Sequence, residues 1–189
     1  GGAMVALAPR AWGALPILAP YRPWLDRFVD DGDVWPAPAT WQTRLHTAVV
    51  FVEQTEKLSA GVDALDVDGS YPDRCARGLV PSRHANVHDF MNALVWARFP
   101  QAKMALAQAL VAACRARPRD PKNRNRNRLQ DRLAMIDEGG LVGAGVDGAG
   151  VAVGHALPAD ASKGVAARGI VDDVADDDAA LAAHLMALR

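Results

Sequence analysis

Residues 83–103 read RHANVHDFMNALVWARFPQAK and bring a helix start, a cluster of polar side chains and the densest apolar run of the chain into one segment. Asn86 and Asp89 have the spacing of a capping-box variant, which predicts Asn86 as the cap, Asp89 as the third helical residue and His88 in the first turn. Phe90, Met91, Leu94, Val95 and Trp96 follow at helical spacing. His88 and Asn92, four apart, then share one face of an otherwise buried helix. Pro100 inside a continuous helix would cost about 3 kcal/mol, whereas in a first turn its missing N–H costs little. A break near Phe99 is therefore expected. From Pro100 to Arg115 the sequence is Ala-rich, with Met104, Ala107, Val111 and Cys114 on one stripe and Leu106 and Leu110 beside it, which predicts a core-packed helix.

Working outward, residues 4–38 hold Trp12, Tyr21, Trp24, Phe28 and Trp35 among six prolines, a pattern for an irregular segment anchored by aromatics in the core. Trp24, Leu25, Phe28 and Val29 fit one short helix. Thr40 is placed to cap a helix from Trp41 to about Ala48, and Val49–Val52 is a β-branched and aromatic run typical of a buried strand. Residues 55–81 read as mostly loop. Asp66–Asp73, DVDGSYPD, resembles the start of a calcium loop, but its twelfth position is Arg77 where the metal needs a glutamate, so an exposed turn is expected. Beyond Leu133 the runs Leu133–Ile136, Leu141–Val146, Val151–Leu157 and Val165–Val171 read as strands, with Asp147-Gly148 as a hairpin signal. Asp176–Asp178 offer a cap for a last helix from Ala179 to Leu188. The expected fold class is α+β, with the helix pair Asn86–Arg98 and Pro100–Arg115 packed on a mostly antiparallel sheet from the C-terminal half.

At 189 residues the chain suits a single domain that buries roughly 70% of its unfolded surface. Half of it is hydrophobic, 23% is charged and the net charge is −1, so global charge predicts no partner. Cys75 and Cys114 fit neither a disulfide framework nor a CxxC site, and a reducing cytoplasm is the expected compartment. Gly1–Ala3 before Met4 read as an expression remnant. The apolar stretch Ala11–Pro20 is short and broken by Pro16 and Pro20, which argues against a signal peptide and a membrane span.

Local charge is more informative. Residues 115–132 carry eight basic side chains against Asp120 and Asp131, a balance of +6 that leaves −7 on the rest of the chain. Such a bipolar distribution steers anions. Pro118, Pro121 and the NRNRNR alternation predict a basic mobile loop. Arg124, Arg126 and Arg128, together with Arg83, are the expected contacts to an anionic ligand or nucleic acid.

Gly143–Gly148 satisfies GxGxxG literally but continues as a Gly-Val strand rather than opening a helix, so a Gly-rich hairpin is expected instead of a dinucleotide site. No GxxxxGK[ST], HExxH or GxSxG occurs. What remains is a dispersed set, His88, Asp89, Asn92, Asp137, Glu138 and His155, whose types suit general acid–base work. His88, Asp137 and His155 also admit a divalent metal. The expected function is a hydrolase acting on a phosphoester or nucleic acid, with or without a metal. Its alternative is a non-catalytic binding protein in which the polar strip is structural and the basic loop contacts an anionic partner.

Gly78-Leu-Val-Pro81-Ser-Arg83, His88-Asp-Phe-Met-Asn92-Ala-Leu-Val-Trp96, Phe99-Pro100, Lys103, Asp131-Arg132, Asp137-Glu138-x-Gly140 and Gly154-His155-Ala-Leu157 together resemble the uncharacterised bacterial domain-of-unknown-function family numbered 3025. The likeness spans roughly residues 50–189 and departs from the family pattern in the NRNRNR insertion and the short Gly-rich stretch before His155. The resemblance implies that His88, Asp89, Asn92, Asp137, Glu138 and His155 belong to one pattern, without naming a substrate.

Overall fold

The computed structural model describes residues 8–119, 122–123, 125–139, 141–143, 150–152 and 178–186. Prolines start most of the N-terminal turns, since a fixed φ suits the first position of a short helix. The chain runs through 3-10 turns at Pro9–Ala14 and Pro16–Tyr21, helix α1 (Arg22–Leu25), further turns at Asp26–Asp31 and Pro38–Thr40, and α2 (Trp41–Leu45). Strand β1 (Val50–Glu53), α3 (Tyr71–Ala76) and β2 (Leu79–Ser82) form a crossover unit. Helices α4 (Val87–Arg98), α5 (Pro100–Arg115) and α6 (Arg128–Gly139) follow, then strands β3 (Leu141–Gly143) and β4 (Gly150–Ala152), and helix α7 (Asp178–Met186).

The helix pair forms where its sequence signals place it. Asn86 Oδ1 accepts from Asp89 N at 3.0 Å, and the pair breaks at Phe99, whose φ of −125° and ψ of 57° leave the helical region before Pro100 restarts it. Phe99 lends α5 no side-chain cap. Asp178, the first residue of α7, supplies one instead, accepting from Gln101 N at 2.8 Å and Ala102 N at 2.9 Å. That contact joins α7 to the start of α5, and Leu181 and Leu185 bury the rest of the contact face.

The aromatics of the N-terminal segment fill the core, as expected. Phe90, at the start of α4, is the hub. Trp12, Phe28, Trp35 and Trp41 all meet its ring edge-on, at centroid distances of 5.1, 5.1, 5.9 and 5.2 Å. Strands β1 and β2 pair in parallel, with Phe51 opposite Val80, and both of these side chains are buried. Parallel strands need a long crossover, and residues 54–78 with α3 supply it.

The expected sheet is overturned. Among the described residues helices dominate, and the strands form only the parallel pair β1–β2 and a short antiparallel ribbon, β3–β4. The ribbon pairs Leu141 with Ala152 and Gly143 with Gly150, around the hairpin signal. It is no platform for the helix pair. Leu133–Ile136 is not a strand but part of α6. Leu129, Leu133 and Ile136 recur at helical spacing with charges between them, and a helix lets Leu133 and Gln130 be buried while Asp131 and Arg132 stay exposed. Val165–Val171 lies outside the described residues.

Smaller differences have equally local causes. Thr40 does not cap α2; its hydroxyl donates to Ala37 O at 2.7 Å, and His46 ends that helix at Leu45 in a left-handed conformation with φ of 55°. In the stretch read as loop, Ser70 caps α3 by accepting from Asp73 N, with Pro72 in the first turn. The exposed turn expected at Asp66–Asp73 is thus the entry to a helix. Gly143 lies in β3, and the rest of the GxGxxG stretch lies outside the described residues. Cys75 and Cys114 are free, buried thiols. No described helix is long and apolar enough to cross a membrane.

Candidate functional site

A cavity of about 340 Å³ opens between residues 54–61 and helices α3, α4, α5 and α6. Its outer wall is tied down at two carbonyls. Cys114 Sγ donates to Gly61 O at 2.7 Å, and Gln130 Nε2 donates to Val62 O at 2.8 Å. Gly61 is required there, because its φ is +65° and a Cβ would stand 2.8 Å from Ser70 Oγ.

The floor is polar and buried. Lys103 is only 3% exposed, although it sits on the Ala-rich face of α5, and its ammonium ion-pairs with Asp137 of α6. The same ammonium lies 5.6 Å from the centroid of the Trp96 ring, within cation–π range. From α3, Tyr71 and Cys75, one turn apart, face the same space. Asn92 of α4 donates to the Tyr71 hydroxyl at 3.0 Å. Burial, and behind it Cys75 and the Asp137 carboxylate, raise the Tyr71 phenol well above its usual range. Burial likewise pushes the Cys75 thiol up to about 12, with Lys103 opposing and Asp137 adding. Both groups are therefore protonated near neutrality. Asn92 Oδ1 and Trp96 Nε1, one turn apart on α4, are buried without a hydrogen-bond partner. Native interiors rarely leave such atoms unmatched.

The rim is cationic. Lys57, Arg83 and Arg126 line it with His88. Arg83 grips Asp89 through Nε at 2.9 Å, Nη2 at 3.0 Å and its backbone N at 2.7 Å. His88 Nδ1 lies 3.1 Å from Asp89 Oδ1, the oxygen that also accepts from Arg83 Nη2. Burial alone would raise the Asp89 pKa, but the His88 and Arg83 hydrogen bonds outweigh it and hold the carboxyl well below its usual range. Asp89 in turn raises the Arg83 guanidinium. Asp89 thus does not close the capping box back to Asn86; it fixes Arg83 and His88 at the mouth.

Arg126 is positioned by its neighbours. Arg117 donates to the carbonyls of Asn123 and Asn125 and to Gln130 Oε1. Asn127 and Gln130 exchange backbone-to-side-chain bonds of 2.8 Å at the start of α6, a reciprocal capping box inside the alternating Asn–Arg run. These bonds organise the described part of the basic segment.

Of the residues singled out from sequence, His88, Asp89 and Asp137 line the cavity, and Asn92 stands behind Tyr71. Arg83 and Arg126 line the rim, whereas Arg128 opens α6 on the surface. Glu138 belongs to α6 but its side chain, like all of His155 and Arg124, lies outside the described residues. Among the described residues no group of three His, Cys, Asp or Glu side chains could hold a metal ion. Asp89 and Asp137, the carboxylates nearest that role, are committed to Arg83 and Lys103. Sequence reasoning passed over Lys103, Tyr71 and Cys75 as site residues. The available signal was a lysine three and four residues before Leu106 and Ala107, on the face a core helix keeps apolar.

A family model described as "Protein of unknown function (DUF3025)" matches residues 49–157, more than half of the chain. Every floor and rim residue named above falls inside that span. No curated protein and no solved structure matches the chain.

Proposed function

Starting from a chain that belongs to the DUF3025 family, whose description assigns no activity, we propose that it binds a small anionic molecule, a carboxylate or a phosphate ester, in this cavity. The observation that carries this reading is a cationic rim over a buried polar floor. Arg83 spends its Nε and Nη2 edge on Asp89, which fixes the guanidinium at the mouth with its Nη1 donors still to offer a carboxylate or phosphate, and Lys57 and Arg126 add charge around it. The volume lies at the small end of the range for small-molecule pockets. Structural roles for Asp89 and Asn92 fit the binding reading, since both organise their neighbours.

The test is a thermal-shift titration with inorganic phosphate, citrate and a short single-stranded oligonucleotide, with manganese and zinc in parallel. Occupation at a hundred times Kd stabilises by about 2.7 kcal/mol, a shift of several degrees. Stabilisation by phosphate or citrate that weakens with added salt and disappears in Arg83→Gln supports the reading. Stabilisation by none of the anions sinks it. Response to the oligonucleotide alone, lost when Arg126 and Arg128 become Ser, would place the anion on the basic segment instead.

One observation favours a second reading. The 3.1 Å contact of His88 Nδ1 with Asp89 is the arrangement that orients an imidazole for acid–base work, and His88 lines the mouth with its side chain 49% exposed. Phosphoester hydrolysis with His88 as the acid–base group would then follow binding. Turnover of p-nitrophenyl phosphate that is lost in His88→Ala, while the phosphate thermal shift persists, would identify it.

A further inference from the structure

Lys103 is an unusual choice for a structural ion pair. A buried lysine–aspartate pair gains little over apolar packing, and arginine satisfies a carboxylate better where the role is only to clamp two helices. Here the Lys103 side chain belongs to the cavity lining, and so does the carboxylate that its ammonium pairs with. Asp137 lies against it as a proton acceptor, and the Tyr71 hydroxyl and the Trp96 indole stand in the same floor. The cationic rim sits above. The competing nucleophile, Cys75, is held protonated and is inert near neutral pH.

We infer that Lys103 is a covalent anchor, forming an imine with a small anionic aldehyde or 2-oxo acid held under Arg83. This deepens the anion-binding reading and rests on it. The step balances without any further reagent. Asp137 takes one proton from the Lys103 ammonium, and the free amine attacks the carbonyl carbon, forming the C–N bond. A proton passes from nitrogen to the former carbonyl oxygen to give the carbinolamine. Asp137 returns its proton to that hydroxyl, water leaves, and the protonated imine remains paired with the Asp137 carboxylate. No electrons are gained or lost.

The chain carries its own controls, since Lys57, Lys103, Lys122 and Lys163 are its only lysines. The full-length protein is incubated with pyruvate or glyoxylate and sodium cyanoborohydride, and the reduced adduct is located by peptide mass spectrometry. Lys103 is expected to label roughly tenfold faster than Lys57 or Lys122, although it is the more buried. Lactate, which carries the anion without the carbonyl, should slow the labelling by competition. Asp137→Asn should slow labelling, because the amide can neither take the ammonium proton nor return it to the leaving hydroxyl. Labelling confined to the exposed lysines, or Lys103 labelling no faster than they do, overturns the inference. If lactate and pyruvate both stabilise the protein and Lys103 still fails to label, the anion site stands and only the imine falls. If neither stabilises it, phosphate and citrate fail as well, and Lys103 does not label, both readings fall together. The mapping uses the unmodified chain, so it does not depend on any variant folding.

Discussion

Phe90 makes a single side chain the meeting point of two parts of the chain that are far apart in sequence. Four rings from the N-terminal segment and α2 approach it edge-on, the geometry in which the positive rim of one ring meets the negative face of another. Phe90→Ala should therefore destabilise by about 3–5 kcal/mol, at the upper end for a core aromatic, because the surrounding rings are too rigid to collapse into the gap. A denaturant melt checks it, and a loss under about 2 kcal/mol would mean that the segment repacks. Two residues along, Asn92 has a more delicate balance. Asn92→Ala deletes the bond to Tyr71, which costs stability, but it also removes a buried acceptor that has no partner, which relieves some of the loss. The expected net cost is about 1 kcal/mol. A denaturant melt of the variant beside the parent chain measures it.

At the scale of elements, the start of α5 depends on a residue 77 positions along the chain, since Asp178 accepts from Gln101 and Ala102. A carboxylate there satisfies two orphan amides and faces the positive end of the helix dipole. Asp178→Ala should cost about 1 kcal/mol and loosen α7 first, seen as faster amide exchange at Leu181 and Leu185 than in the core of α4. Uniform exchange in both helices would refute that order. This contact also shows what the sequence concealed. The helix pair was legible because Asn86, Asp89 and Pro100 are local signals, and their partners lie within one turn. The cap of α5 was not, because Asp178 looked like the cap of its own helix. Leu133–Ile136 misled for a different reason. A four-residue apolar run has no decisive period, and only the burial of Gln130 and Leu133 together reveals the helix. The site divided in the same way. His88, Asp89 and Asn92 stood out on one helix, whereas Lys103, Tyr71 and Cys75 come from separate helices and are joined only by folding. Lys103 was hidden further by its setting, since a single charge in an Ala-rich run reads as a solvated face.

For the molecule as a whole, the interior polar groups make stability a function of pH from both ends. On the acid side, the folded Asp89 carboxyl titrates below its unfolded value. Its contribution is complete above the ordinary aspartate pKa of about 3.9 and is lost as pH falls through the depressed folded value. On the alkaline side the sign reverses. Cys75 is raised from 9.0 to about 12, Tyr21 from 10.0 to about 12, and Tyr71 and Cys114 are raised as well, chiefly by burial in each case. The folded state holds these protons more tightly than the unfolded chain does. Their contribution is therefore complete below the ordinary thiol pKa and is lost as pH climbs toward 12. Four groups shifted in one direction should make the alkaline decline begin near the thiol range, where the unfolded cysteines start to ionise, and steepen once the unfolded tyrosines join them. Urea melts in steps from about pH 8 to about pH 11 measure the slope, and Cys75→Ala should reduce its early part while leaving the tyrosine part intact. A stability that stays flat across that window would mean that the thiols and phenols are solvated. The cavity floor would then be an open, wet surface, and the buried setting in which Lys103 is asked to act would be lost with it.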